Sequence, residues 1–190
     1  MSGNVDIFWS FLRLGIHHIL SGYDHLMFVF GLLVVCHRWQ TIFKIVISFS
    51  IAHSITLILS TMNVVVLPEK YAEPLISFSL VIVGVENLLR RGQEPPRRWM
   101  LAFAFGLVHG FGFAAGLREM GIATSGGSIF KPLLGFNLGV EIGQIIAGIV
   151  ILPILLQLRK STFFVTYVVP VLSAVVAAGG IYWTVQRLFF

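Results

Sequence analysis

Six long apolar stretches, joined by short polar links, take up most of the 190 residues. They run from about Ile7 to Cys36, Ile42 to Met62, Tyr71 to Leu89, Trp99 to Leu117, Ile129 to Leu158 and Phe163 to Leu188. About 20 apolar residues in a helix cross the hydrocarbon core of a bilayer. Backbone amides in lipid must also pair within the protein, which a helix achieves alone. The predicted fold is therefore all-α: a polytopic transmembrane bundle of six spans in one integral-membrane domain, 1–190. The first and fifth stretches, at about 30 residues each, exceed one crossing, so they must tilt, break or overrun the bilayer. Gly22, beside Ser21, is the natural break in the first. Division there would give an interfacial helix and a span, and a seventh segment.

Composition narrows the class. Charged residues are only 11% of the chain and hydrophobic residues 57%, against about 25% charged in soluble domains. A soluble domain, a disordered chain and a nucleic-acid binder with a basic face are excluded. The net charge of +5 reports cations placed in loops. Links after the first, third and fifth stretches carry Arg38 and Lys44, then Arg90, Arg91, Arg97 and Arg98, then Arg159 and Lys160. The opposite side holds Arg13, Lys70, Arg118, Lys131 and Arg187. The arginine-rich third link places both termini outside the cytoplasm. Trp9, Trp39, Trp99 and Trp183 fall near span ends, as interfacial anchors do. The opening residues lack the basic region and small-residue cleavage site of a signal peptide, so the first stretch is expected to be retained. The single cysteine, Cys36, permits neither an internal disulfide nor a thiolate cluster.

The informative residues are the ionisable ones at membrane depth. Each costs on the order of 2.5–3.5 kcal/mol at a helix centre and is a functional hypothesis by default. The first span carries His17, His18, Asp24 and His25, and the second His53. The third carries Glu86 and Asn87, the fourth His109, and the fifth Asn137, Glu141 and Gln144. His37 alone among the histidines is in a link. His18 and His25, seven apart, share a helix face but stand about 10 Å apart along the axis. They can meet at one ion only if the helix bends at Gly22; otherwise they mark two successive stops. Asp24 and His25 are at nearly equal depth but about 100° apart, so one can ligate while the other orients a neighbour. Asn137, Glu141 and Gln144, at i, i+4 and i+7, form a polar stripe.

Each residue taken singly has a plainer role. A lone histidine, Asn137 or Gln144 can bridge helices by a hydrogen bond. Glu86 can pair with Arg90, and the five methionines read as packing. Together, however, five histidines, Asp24 and two glutamates need a ligand or a proton to offset their insertion cost. The candidate metal ligands are His18, Asp24, His25, His53, His109 and Glu141, supported by Glu86, Asn137 and Gln144. Imidazole and carboxylate without thiolate suit a divalent transition metal: nickel, cobalt, zinc or iron. Glycines recur four apart at Gly135, Gly139 and Gly143, at Gly106 and Gly110, and at Gly112 and Gly116. Such rows let helices approach closely and permit a homo-oligomer.

Five segments, in order over about 140 residues, resemble the HupE/UreJ family and, in the last of them, its UreJ-like branch. His18-x5-Asp24-His25 followed by Leu26, Met27 and Phe28 is similar to its first-span signature. FSIAHSITL from Phe49 to Leu57, Val85-Glu86-Asn87, FGLVHGFGFA from Phe105 to Ala114 and FNLGVEIGQ from Phe136 to Gln144 resemble its later motifs. The resemblance implies a small bacterial inner-membrane protein linked to nickel or cobalt supply for hydrogenase and urease. It also implies metal contacts at His18, Asp24, His25 and His109. The chain departs from some members at Phe113 and Gly116, where a second histidine and an acidic residue stand, and in lacking the signal peptide that many carry.

Two functions compete. In a divalent-metal permease the ion meets His18, Asp24 and His25 and passes inward by His53, His109 and Glu141. In an intramembrane zinc-type metallohydrolase, an open coordination position holds water and Asp24 or Glu141 acts as general base on a lipid or peptide bond. A b-type haem between His53 and His109 leaves the carboxylates unexplained. The expected partners are the metal ion and membrane lipids, not nucleic acid.

Overall fold

The apolar stretches fold as helices, and their polar interruptions decide where each helix starts and stops. A computed structural model describes residues 2–114, 117 and 130–189, with side chains from residue 7 onward. The helices are α1 (Ser2–Ser21), α2 (Tyr23–Leu33), α3 (Trp39–Thr61), α4 (Glu69–Leu89), α5 (Arg98–Gly112), α6 (Phe130–Leu158) and α7 (Phe164–Phe189). No strand occurs among the described residues. Four of these helices, α3, α4, α6 and α7, are long and apolar enough to cross a membrane. Large side chains such as Phe43, Ile51, Ile149, Val171 and Tyr182 are exposed on their outer faces. That surface suits lipid and no aqueous solvent. The architecture is that of a helical membrane bundle, as the apolar stretches predict.

Glycines pair the helices. A side chain at Gly139 would strike the Leu12 carbonyl, and one at Gly15 the Phe136 carbonyl, so α1 lies backbone-to-backbone along α6. Gly106 and Gly110 meet Phe49 and His53 in the same way, joining α5 to α3. Gly84 and Gly180 join α4 to α7. The first two pairs run parallel and the third antiparallel, as the order of the contacting residues requires. α7 opens with a π-helical turn, Phe164–Val168. Pro170 follows, with no amide to donate and a ring that crowds the preceding turn, and the wider turn accommodates it.

The first stretch is broken at Gly22, whose extended backbone (ψ 91°) ends α1 and starts α2. An 11-residue helix that stops inside a bundle leaves carbonyls without partners at its end. Two arginines meet them. Arg98, 1% exposed, donates to the Leu32 carbonyl at 3.0 Å and the Gly31 carbonyl at 2.8 Å. It also donates to Asn87 Oδ1 at 2.7 Å and Glu86 Oε2 at 3.0 Å. Asn87 returns a bond to the Gly31 carbonyl. Arg159 donates to the Val34 carbonyl, to the Gly92 carbonyl and to His37 Nε2 at 3.0 Å. Burial and the neighbouring Arg159 charge lower the His37 pKa, which keeps that ring a neutral acceptor. Cations are also favoured at the negative end of a helix dipole. The third-link arginines, read from the sequence as loop charge, thus include one that is core structure. Glu86 pairs with Arg98 and with Arg90 at 3.2 Å and takes part in this clasp.

Arg98→Met should cost about 1–3 kcal/mol, since it leaves Asn87 Oδ1 without its donor and the Leu32 carbonyl with the weak Cys36 thiol alone, while Glu86 keeps Arg90. Denaturant unfolding in micelles checks this, and Arg98→Lys should rescue only part of the loss because it lacks the planar fork.

Candidate metal centre

Four histidines converge where the broken helix faces α3 and α5. His18 is on the last turn of α1 and His25 on the first turn of α2. The break at Gly22 folds them together, with ring centroids 4.9 Å apart instead of the ~10 Å of a straight helix. A side chain at Gly22 would lie 2.9 Å from the His18 carbonyl and 3.2 Å from His25 Nδ1, so the corner has room only for glycine. His53 comes from the middle of α3, its ring 6.1 Å from that of His25 and 6.4 Å from that of His18. His109, near the end of α5, is 4.8 Å from His25. Gly110 beside it lets α5 sit on the His53 turn, so the two histidines arrive on one pair of helices.

The nitrogen atoms define the chemistry. One ligand nitrogen each of His18, His25 and His53 lies within 4.8 Å of the other two. Metal–imidazole bonds are about 2.0–2.1 Å, so three ligands spread evenly around one ion stand at most about 3.6 Å apart. The widest pair of the set needs to contract by up to about 1.2 Å to close on an ion. Nε2 of His18, His25 and His109 and both ring nitrogens of His53 are buried without a hydrogen-bond partner. Leaving a polar group buried and unpaired costs about 1–3 kcal/mol. The unpaired nitrogens of His18, His25 and His53 are grouped so that they could hold a metal ion, and His109 packs against His25 at the edge of that group.

Their other nitrogens show how the lone pairs are aimed. His109 Nδ1 is 2.8 Å from the Phe105 carbonyl, which can only accept, so this nitrogen carries the proton and Nε2 is left bare. His25 Nδ1 faces Asp24 Oδ1 at 3.0 Å, and the same oxygen accepts from the His25 amide at 2.9 Å. The other Asp24 oxygen is 3.0 Å from Arg187 Nη2 on α7. Arg187 is fixed in turn by the Glu73 carbonyl at 3.1 Å and Ser77 Oγ at 2.6 Å. Of the two roles open to Asp24, the geometry displays the orienting one, with its oxygens engaged by His25 and Arg187. Phe28, Phe49, Phe113 and Phe136 sheathe the rings, with Phe113 only 4.3 Å from His18. That sheath keeps water out and strengthens electrostatic contacts inside it.

The remaining residues singled out in the sequence are placed elsewhere. Glu141, exposed on α6, accepts from Ser50 Oγ at 3.2 Å and lies outside the converging histidine set. Asn137 donates to the Leu133 carbonyl within its own helix. Gln144 is buried with both amide atoms unpartnered. His17 is exposed, beside Ser21. Gly116 and Arg118 lie outside the described residues.

The chain matches the family model described as HupE / UreJ protein over residues 2–187. It belongs to that family. No curated protein and no solved structure matches it. The family motifs quoted above are those that supply His18, Asp24, His25, His53 and His109 to this point. Phe113, where some members carry a second histidine, here covers His18 with an aromatic face.

Arg187 is the site residue that sequence reasoning missed. It is the lone cation of the last apolar stretch, and its link to Asp24 spans 163 residues of sequence. Asp24→Asn, which keeps the shape but removes the charge behind His25, should weaken metal binding by about 10–100-fold. Competition with a metallochromic indicator in detergent measures it.

Proposed function

We propose that the chain is a divalent transition-metal permease of the bacterial inner membrane, of the nickel or cobalt type, that carries its ion through the four-histidine centre. The observation that carries this reading is the meeting of four buried, partnerless imidazole faces contributed by α1, α2, α3 and α5. A set of neutral nitrogen donors without thiolate favours nickel, cobalt or zinc over magnesium and calcium, which prefer oxygen. The family's link to nickel and cobalt selects among these. The four donors come from four helices, two of them on either side of the break at Gly22, so small helix shifts change how many can reach the ion at once. A site that must release its cargo needs that property.

In this reading α1 with α2, and then α3, α4, α5, α6 and α7, make six passes. Both chain ends are on the non-cytoplasmic side, and the arginine-bearing links around Arg38, Arg98 and Arg159 face the cytoplasm. The hydrolase alternative requires a carboxylate free to deprotonate a metal-bound water. Asp24 is engaged by His25 and Arg187, and Glu141 stands outside the centre, which favours carriage over hydrolysis.

His25→Ala and His109→Ala should each abolish co-purified metal, read by mass spectrometry. The wild-type chain in liposomes should move nickel or cobalt, and the two variants should not. Wild-type metal content in both variants would remove the site. Stoichiometric binding without flux would remove the permease.

A further inference from the structure

The polar stripe of α6 is not absorbed by the histidine centre. Glu141, Gln144 and Ser50 of α3 share a cavity of about 420 Å³ in the cleft between α3 and α6, whose remaining lining is apolar. Glu141 stands near the middle of a 29-residue apolar helix, exposed toward lipid depth. A carboxylate there costs on the order of 2.5–3.5 kcal/mol unless something neutralises it. Among the described residues, no lysine, arginine or histidine lies within ion-pair distance of Glu141. Its hydrogen-bond donor is the Ser50 hydroxyl. A second observation lies beside the same space. Gln144, 5% exposed, is one of the residues that border this cavity, and its carbonyl oxygen and amide nitrogen are both buried and unpartnered. A buried amide with neither end satisfied is as unusual as an unpaired ring nitrogen.

Position links this cavity to the centre. Ser50 and His53 are three residues apart on α3, hence on adjoining turns of one face, with about 4.5 Å of rise between them. The cavity extends from Ser50 toward the α3 end that begins at Trp39, next to the arginine-bearing links.

We infer that the α3–α6 cleft holds a second, weaker site for a divalent cation, made by the Glu141 carboxylate, the Gln144 amide oxygen and the Ser50 hydroxyl. The inference rests on the metal-handling reading of the histidine centre. One carboxylate with two neutral oxygens leaves most of the hydration shell in place, and the cavity has room for those waters. Oxygen donors of this kind hold nickel or cobalt less firmly than imidazoles do. An ion leaving His53 toward the arginine-bearing side therefore meets a partner that neutralises charge and lets go readily.

Titration of the full chain in detergent micelles with cobalt(II) chloride, followed by calorimetry, tests this. The wild-type isotherm should show a tight step and a weaker step. Glu141→Gln should remove the weaker step and keep the tight one, and His53→Ala should do the reverse. Persistence of the weaker step in Glu141→Gln, or a single step in the wild type, overturns the second site. Should Glu141→Gln lose both steps through misfolding, Gln144→Leu decides: loss of the weaker step alone supports the site, and retention of both overturns it. Absence of the tight step from the wild type is a different result and bears on the histidine centre instead.

Discussion

A helix that stops inside a bundle leaves amides and carbonyls that its own turns cannot pair, and the rest of this structure depends on how that problem is met at α2. Its start is left open at Gly22, where the Asp24 carboxylate takes the His25 amide. Its end is closed by the Arg98 and Arg159 guanidiniums. With both ends held, a short helix can stay in the middle of the protein and keep a histidine at the depth where α3 and α5 bring theirs. Without the clasp the stretch could lengthen or slide by a turn, and a rise of about 1.5 Å per residue would carry His25 away from the other rings.

Close helix contact does the remaining placement. Rings on three helices can converge within about 6 Å only where the backbones themselves come near. Gly106 and Gly110 lower α5 onto α3, so His109 and His53 are set by the same contact. Gly139 and Gly15 do so for α1 and α6, which sets His18. The buried imidazoles thus lie together, and beside them Asp24 is held by Arg187.

Much of this was legible in the residue order. Apolar stretch length gave the helices, Gly22 the break, and histidine depth the rings that the fold brings together, because each follows from local geometry and the cost of polarity in lipid. Partner identity was harder to read. Arg98 looks like any other cation of an arginine-rich link, since nothing nearby in sequence says that the link folds back under α2. Glu86 reads from the sequence either as a support of the metal ligands or as a partner of Arg90, and the fold pairs it, with Asn87, to Arg98 because their helix turns them to the α2 end. Glu141 carried the same apolar-background signal as the histidines. A polar stripe shows only that a face is special, and not which of two neighbouring cavities it faces.

The support of His18 differs from that of the other three rings. His25, His53 and His109 sit on helices packed among α2, α3, α4 and α5, whereas α1 leans chiefly on α6, and the border between α6 and α3 contains two cavities. Three of the rings thus belong to one block, and the fourth is carried by a helix pair that meets that block along the border where both cavities lie.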